Sequence, residues 1–491
     1  MTPMRPERTE LAPGLGISRI VTGLWQVADM ERDGRELDRE AASDDLARYV
    51  AAGFDTFDMA DHYGSAELII GALSRRHRAG SVGPFRAFTK WCPEPGDMDG
   101  GRVRGAVERA LRRMDVERID LMQFHWWMYE HPAYVDAMRA LVRLKEEGLI
   151  AAVGVTNFNT DHLRVLLGSG VPVASNQVSM SLIDRRATED MQHFCLGNGI
   201  RLLAYGALCG GFLSDTWLDA PEPAAVNDWS KLKYRRFIAA SGGWASLQRI
   251  LSAAAAIARR HGVSLANVAT RWVLQHQSVA AIIVGARLGE REHRDDNLRL
   301  FSFALDSEDL ASLDEAFAST RRLAGDCGDE YRKPPFLTAS GDLSHHLRAM
   351  PTIFSVKQRS DARSEIASGS IWEDVAGFAR AVRRADRILV SGTTATHGLD
   401  EMICPHDPAG QTAYILDKIT ACLSALGASL EDVVRTRIYL ANPDHWEEVA
   451  RVHGRYFAEI RPANTLIAVS HLIGGYLVEI ECEAIIAGAS G

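Results

Sequence analysis

The chain has 491 residues, with 55 basic against 64 acidic side chains, a formal net charge of -9 and 46% hydrophobic residues. Those values fit a soluble globular chain long enough for more than one core, and they exclude disordered, collagen-like and coiled-coil classes. The mild acidity argues against nucleic acid as the main partner, and no apolar run nears the roughly 20 residues that span a bilayer.

Residues 1–320 alternate short β-branched runs with amphipathic stretches. Candidate strands are Ile17–Thr22, Thr56–Ala60, Phe85–Trp91, Ile119–Trp126, Ile150–Asn157, Val173–Ser179, Ile200–Gly206 and Ala280–Ala286. Helical patterns such as Ser43–Ala52, Gly101–Met114, Ala133–Glu147 and Thr160–Leu167 lie between them. Eight strands with helical connections predict an α/β fold, a (β/α)8 TIM barrel. A Rossmann fold would want G-x-G-x-x-G after an early strand, and none is there. The long connection Gly211–Gly243, after the seventh strand, is placed to cover a ligand, and Asp306 reads as the N-cap of a closing helix, Ser307–Ala318. Residues 326–365 read as a tail and polar linker, Lys357–Glu365 in particular, with few contacts expected between the parts it joins. Adjacent His345 and His346 suit no metal pair. From 366 to 491 the pattern is β-β-α-β-α-β-β, with strand material at Ala381–Thr394, helices Ala409–Gly427 and His445–Phe457, and strands Val434–Leu440, Asn464–Val469 and Leu477–Ala487. This is a small α+β domain. Seven cysteines without paired spacing and a start, MTPMRPERTELAPG, lacking an apolar leader predict reduced thiols and a cytoplasmic location.

Four polar residues fall at or just past predicted strand ends: Asp58 and Tyr63 in FDTFDMADHYG, Lys90 in AFTKW and His125 in LMQFHWW. In a barrel these ends share one rim, where active sites are built. The set makes chemical sense. A tyrosine with an ordinary pKa of about 10 becomes a usable proton donor beside an ammonium, an aspartate holds the lysine, and a histidine hydrogen-bonds a substrate oxygen.

These motifs, with GVTNF and SNQV, resemble the aldo-keto reductase family over residues 10–320. The resemblance implies Tyr63 as general acid/base, Lys90 as its partner, Asp58 as the lysine's anchor and His125 as the substrate-oxygen ligand. It also implies a nicotinamide site. Thr156, Asn157 and Gln177 would hold the carboxamide, Tyr205 would stack on the ring, Gly206 and Leu208 would line the pyrophosphate path, and Trp25 would border both cofactor and substrate. In VGARLGEREHRDDNL, Arg287, His293, Arg294 and Asn297 are the candidates for an adenosine 2′-phosphate, and the cationic fork of arginine favours NADP (NADPH) over NAD. Trp25, Trp91 and Trp126, with Trp127 beside them, imply a flat-sided substrate pocket for an aldehyde, ketone or sugar-like alcohol; of Trp126 and Trp127, at least one is expected in the barrel packing. No metal is expected.

ILVSGTTAT, GASLEDVVRTRIYL, HGRYF and LVEIECEAI resemble the RidA (reactive intermediate deaminase) family over residues 366–488, implying a chorismate-mutase-like fold, a homotrimer and a cleft at Phe378, Ser391, Asn464 and Glu479. Asn464 stands where deaminating members carry a carboxylate-binding arginine, and an amide cannot supply that bidentate fork. The expectation is an NADP-dependent oxidoreductase with an oligomerising or metabolite-binding appendage. The alternatives are a nicotinamide-sensing regulatory protein and a bifunctional reductase with imine deaminase activity.

Overall fold

The structure, a computed structural model, describes residues 4–290, 292–335, 337–338 and 351–487. The pair His345 and His346 lies outside the described residues. Eight parallel strands close into a barrel: β1 (Ile20–Gly23), β2 (Thr56–Asp58), β3 (Arg86–Trp91), β4 (Ile119–His125), β5 (Ile150–Thr156), β6 (Ser175–Ser179), β7 (Arg201–Tyr205) and β8 (Val279–Gly285). Each departs from its predicted span by no more than a few residues at its ends. The alternation is physical. Lys90 and His125 point inward, while Trp91, Phe124 and Trp126 point outward into the helix-covered core, because successive side chains leave opposite faces of a strand.

An antiparallel hairpin that the periodicity does not announce, Arg8–Ala12 with Leu15–Ser18, precedes the barrel. Its Leu11, Leu15 and Ile17 pack with Val21, Phe88, Leu121 and Leu203, so it closes the apolar interior at the end opposite the candidate site. Helix Ser307–Ala318 is capped as predicted: Asp306 accepts from the N–H groups of Glu308 and Asp309, and Asp309 reciprocates.

The second unit is a seven-stranded sheet ordered β9-β10-β11-β12-β15-β13-β14, comprising β9 (Val356–Ser360), β10 (Arg363–Ile366), β11 (Ala381–Arg384), β12 (Arg387–Thr393), β13 (Val433–Leu440), β14 (Ala463–Ala468) and β15 (Val478–Ile485). The stretch expected as linker, Lys357–Glu365, is therefore largely strand. Its polar residues belong to an exposed edge hairpin, where strand pairing needs no apolar face. Two long helices, Pro408–Ala425 and Trp446–Phe457, cover one face of the sheet.

The two units meet through packed helices and several ion pairs, contrary to the few contacts expected. Barrel helix α1 (Thr160–Gly168) lies against α2 (Pro408–Ala425). Arg455 on α3 (Trp446–Phe457) forks onto Asp161, Arg164 reaches Asp407 at 3.1 Å, and His162 Nε2 lies 2.7 Å from Asp417 Oδ2. Cys404 closes on Gly168, leaving no room there for a side chain. The linker composition misleads because the contact is made by helix faces, not by the connecting segment. Among the described residues no helix is long and apolar enough to cross a membrane, and all seven cysteines are free and buried.

Candidate active site

Strand ends β2 to β4 bring the four polar residues to one rim. Lys90 Nζ donates to Asp58 Oδ2 at 2.5 Å and to the Met59 carbonyl at 2.8 Å. Both Lys90 and Asp58 are buried, and the ammonium lies 5.0 Å from the centre of the Tyr63 ring. A buried ion pair survives only when its remaining hydrogen-bonding capacity is filled. Here Gln123 and Gln177 fill it, each donating to Asp58 Oδ1, at 2.9 and 2.8 Å, and Gln177 also donates to Gln123. Gln123 carries no sequence signal, because it sits in an apolar strand two residues before His125. Gln177 is thus spent on the carboxylate through its amide nitrogen, rather than turned as a whole to a cofactor carboxamide. Tyr63 is bordered by Trp25 (5.0 Å, edge-on) and His62 (4.8 Å).

The indoles divide. Trp126 stacks on Phe124 and donates to the His131 carbonyl, and Trp91 packs on Phe124; both belong to the outward core and not to the pocket. Trp127 turns back instead. Its ring lies 4.3 Å from His125, and it forms a small apolar cluster with Cys92 and Tyr331. Trp25 remains at the rim and meets Trp229 at 5.9 Å.

On the opposite side, Asn157 follows β5 at φ +57°, a left-handed conformation that asparagine tolerates. Its Oδ1 accepts from the Tyr205 hydroxyl at 2.8 Å. The Thr156 hydroxyl is buried and has no hydrogen-bond partner among the described residues, as a site for a polar amide would need. Burial pushes the Tyr205 hydroxyl well above its usual range, so it acts as a neutral donor. Gly206 (φ +74°) lets the chain turn under the Tyr234 hydroxyl, and Leu208 lies half-buried beyond it. These residues fit a nicotinamide ring and carboxamide.

The long connection closes over the mouth. Its helix Trp229–Ala240 is capped by Asp228, whose carboxylate also binds Arg287 at 2.6 Å; Arg287 simultaneously binds Asp29 at 2.5 Å. Arg287 is therefore held by two carboxylates. His293 is exposed, Asn297 half-buried, and Arg294 lies over the Tyr49 ring while pairing with Glu292. Asp61, His62 and Cys92 bring one ligand atom each within 4.8 Å of one another, but Asp61 already meets His62 Nδ1 and the Cys92 N–H.

In the second unit, Glu479 lies against Gly392, and burial raises its carboxyl while Arg380 lowers it. Arg380, which the sequence reading passes over, is buried, binds the Gly392 carbonyl at 2.6 Å and pairs with Glu373. Its guanidinium lies 5.3 Å from the Phe378 ring, and Ser391 donates to the Ala379 carbonyl. Asn464 does not join them. It pairs in register with Thr436, buried under α3, whereas Glu479 pairs with Tyr439 on the open face. The two lie on opposite faces of the sheet.

Residues 19–318 match the family model described as the Aldo/keto reductase family. The chain belongs to that family. Residues 371–486 match the model described as Endoribonuclease L-PSP. Across the C-terminal unit the chain is 39% identical over 126 residues to an uncharacterized protein of Streptomyces coelicolor, covering 26% of this chain and 93% of that one. Over the barrel it is 23% identical to the NADH-specific methylglyoxal reductase of Escherichia coli, covering 62% and 96% of the two chains. The glycerol dehydrogenase of Gluconobacter oxydans shares the fold, with a TM-score of 0.53 at 24% identity, covering 66% and 98%. The protein is accordingly an oxidoreductase of the aldo/keto reductase family, whose members use nicotinamide cofactors, with a RidA-like domain fused behind the barrel.

Proposed function

We propose that the barrel is an NADP-dependent carbonyl reductase acting on small aldehydes and 2-oxoaldehydes, with Tyr63 as general acid. The observation that carries this reading is the buried Asp58–Lys90 pair, with its ammonium 5.0 Å from the Tyr63 ring. A bound nicotinamide would supply the hydride. The chain's own residues do the rest: His125 orients the carbonyl oxygen and Tyr63 passes it a proton. Lys90 keeps positive charge beside that oxygen as negative charge develops there. Asp58, with both its glutamine donors, fixes the ammonium. A cofactor sensor would need Tyr205 and Asn157 but would have no use for a desolvated ion pair beside a tyrosine, which costs stability to maintain. The relatedness to a methylglyoxal reductase supports the substrate class.

The NADP preference rests on narrower ground than Arg287 alone, because that guanidinium closes the covering helix through Asp228 and Asp29. A 2′-phosphate would take it over from one of the carboxylates, with Arg294 and His293 nearby in sequence. Oxidation of NADPH and NADH against a panel of aldehydes, ketones, sugars and 2-oxo compounds tests the whole reading; no turnover on any carbonyl removes it.

For the C-terminal unit, running from Val356, we propose assembly and metabolite binding rather than deamination, in a cytoplasmic homotrimer. Leu389, Ile467 and Ile485 leave 44–47% of their surface exposed on the sheet's open face, which fits a buried inter-subunit surface. Asn464, lying away from Glu479, supports the absence of imine hydrolysis; rapid hydrolysis of 2-aminoacrylate by the purified chain would overturn this part.

A further inference from the structure

The loop that follows β5 is braced from outside the strands. The Asn157 N–H donates to the Gln177 carbonyl at 2.9 Å, and Arg332 donates to the Asn157 carbonyl at 2.5 Å and to that of Trp126. The segment carrying this arginine is pinned across the ends of β4 and β5. Asp326 accepts from the Thr160 N–H at 2.7 Å, and Glu330 is buried against Arg186 at 2.8 Å. Gly328, at φ +86°, passes too close to the Asn157 carbonyl to admit a side chain.

The last brace comes from the second unit. Asn159 caps α1: its N–H donates to the Tyr129 hydroxyl at 3.2 Å, and its Oδ1 accepts from the His162 N–H at 3.0 Å. His162 Nδ1 reaches the same oxygen at 2.6 Å. The His162 ring stacks on Tyr129 with centroids 3.3 Å apart, and its Nε2 meets Asp417 Oδ2 of α2 at 2.7 Å. Burial holds this imidazole neutral, with a single ring N–H. That N–H is spent on Asn159, so Nε2 accepts and Asp417 has to bring the proton. A carboxylate there would face a lone pair. Moving the ring proton to Nε2 would instead set the Nδ1 lone pair against Asn159 Oδ1.

We propose that Asp417, a residue of the second unit, is a positioning residue for the barrel's nicotinamide loop: as the acid it completes the chain Asp417–His162–Asn159 that holds Asn157–Thr160 in place. The assignment rests on the nicotinamide site described above and deepens it, since cofactor affinity then depends on the fused unit. Asp417 is faced by His162, Glu130, Tyr134, Arg332 and Lys333 from the barrel and its tail, and by Tyr414 and Tyr456 from the second unit. Burial raises its carboxyl to about 7, while Tyr456, Lys333 and Arg332 pull the other way. Burial, and then Asp417, raises Glu130 to about 7 as well, so the two acids titrate together. The acid form prevails below that range, so the brace is complete at roughly pH 6 and released by roughly pH 8.

The test titrates NADPH, or NADH if that binds more tightly, by fluorescence at pH 6 and pH 8. It compares the full wild-type chain with Asp417→Asn, whose amide N–H donates to Nε2 at either pH. The cofactor's own phosphates titrate alike for both chains, so the wild-type-to-variant ratio of Kd isolates Asp417. That ratio should rise about fivefold from pH 6 to pH 8, the low end of coupling between linked sites, and a rise below about threefold overturns the assignment. His162→Phe keeps a ring on Tyr129 and removes both nitrogens; it replaces the asparagine variant if that one fails to fold, and the ratio against it should rise in the same way. Amide exchange over Asn157–His162 reads the brace without cofactor. It should be faster in the wild type than in Asp417→Asn at pH 8 and equal at pH 6; equal rates at both values overturn the assignment. A chain that binds cofactor with an unchanged ratio loses this assignment alone. One that binds neither NADPH nor NADH loses the nicotinamide reading and this assignment with it.

Discussion

Tyr63 owes its proposed role to what surrounds it, and single substitutions separate proton transfer from binding. Tyr63→Phe keeps the ring against Trp25 and His62 and removes only the hydroxyl. Turnover should fall by about 10²–10⁴-fold while cofactor affinity, read by fluorescence titration, stays within about twofold. Near wild-type turnover would remove Tyr63 as the acid. Arg287→Ala should weaken both cofactors, because it opens the clamp from Asp29 to Asp228, so the informative quantity is the ratio. If Arg287 meets a 2′-phosphate, the NADPH preference over NADH should shrink about tenfold, the scale of one charge-assisted contact; an unchanged ratio would leave Arg287 as a clamp only. Asp58, Tyr63, Lys90 and His125 are legible in sequence because a polar residue closing an apolar strand stands out. Gln123 and Tyr331 are not. Gln123 sits inside a strand that reads as apolar, and Tyr331 in a segment whose course follows from tertiary contacts alone.

At the scale of elements, the α1–α2 contact contains a titrating pair. His162 Nδ1 donates to Asn159 Oδ1 at 2.6 Å, an oxygen identified by its bond from the His162 N–H. Burial holds the imidazole neutral, so Nε2 presents a lone pair to Asp417, and burial raises that carboxyl to about 7. The proton therefore sits on Asp417, which also accepts from Tyr456 at 2.7 Å. A carboxyl raised above its unfolded value, about 3.9, stabilises the fold fully below that value and progressively less as pH climbs toward 7. Asp417→Asn mimics the protonated acid. It should stabilise more at pH 8 than at pH 5, by roughly 1–3 kcal/mol, measured by calorimetry at both values. Equal effects at the two pH values would place the proton elsewhere. The second unit's β-β-α-β-α-β-β order was legible from its periods, whereas the edge strands β9 and β10 were not, since polar edge strands and linkers share a composition.

For the whole molecule, the docking of the two units makes their stabilities one property. Arg455→Met leaves Asp161 buried and unpaired, and the single calorimetric transition expected of the intact chain should split into two. Retention of one transition would show that the α1–α2 packing alone couples the units. The resemblance to the RidA family, with an open sheet face left to bury, predicts a sedimenting species of about three times 53.9 kDa. A monomer would sink the trimer while leaving the barrel chemistry untouched. The barrel itself was readable strand by strand; its contact with the second unit was not, because the helix faces that meet look in sequence like any other amphipathic surface.

The pinned segment carrying Tyr331 also sets an order of events in time. A growing chain completes its eight barrel strands long before α2 and α3 emerge, yet Lys333, two residues past Tyr331, lies over the Tyr456 ring, and Arg332 covers Tyr129, which stacks on His162. The other fastenings of that segment, Asp326 to the Thr160 N–H, Glu330 to Arg186 and Arg332 to the Asn157 carbonyl, lie inside the barrel, so the segment seats without the last helices and offers them a finished surface on which to land.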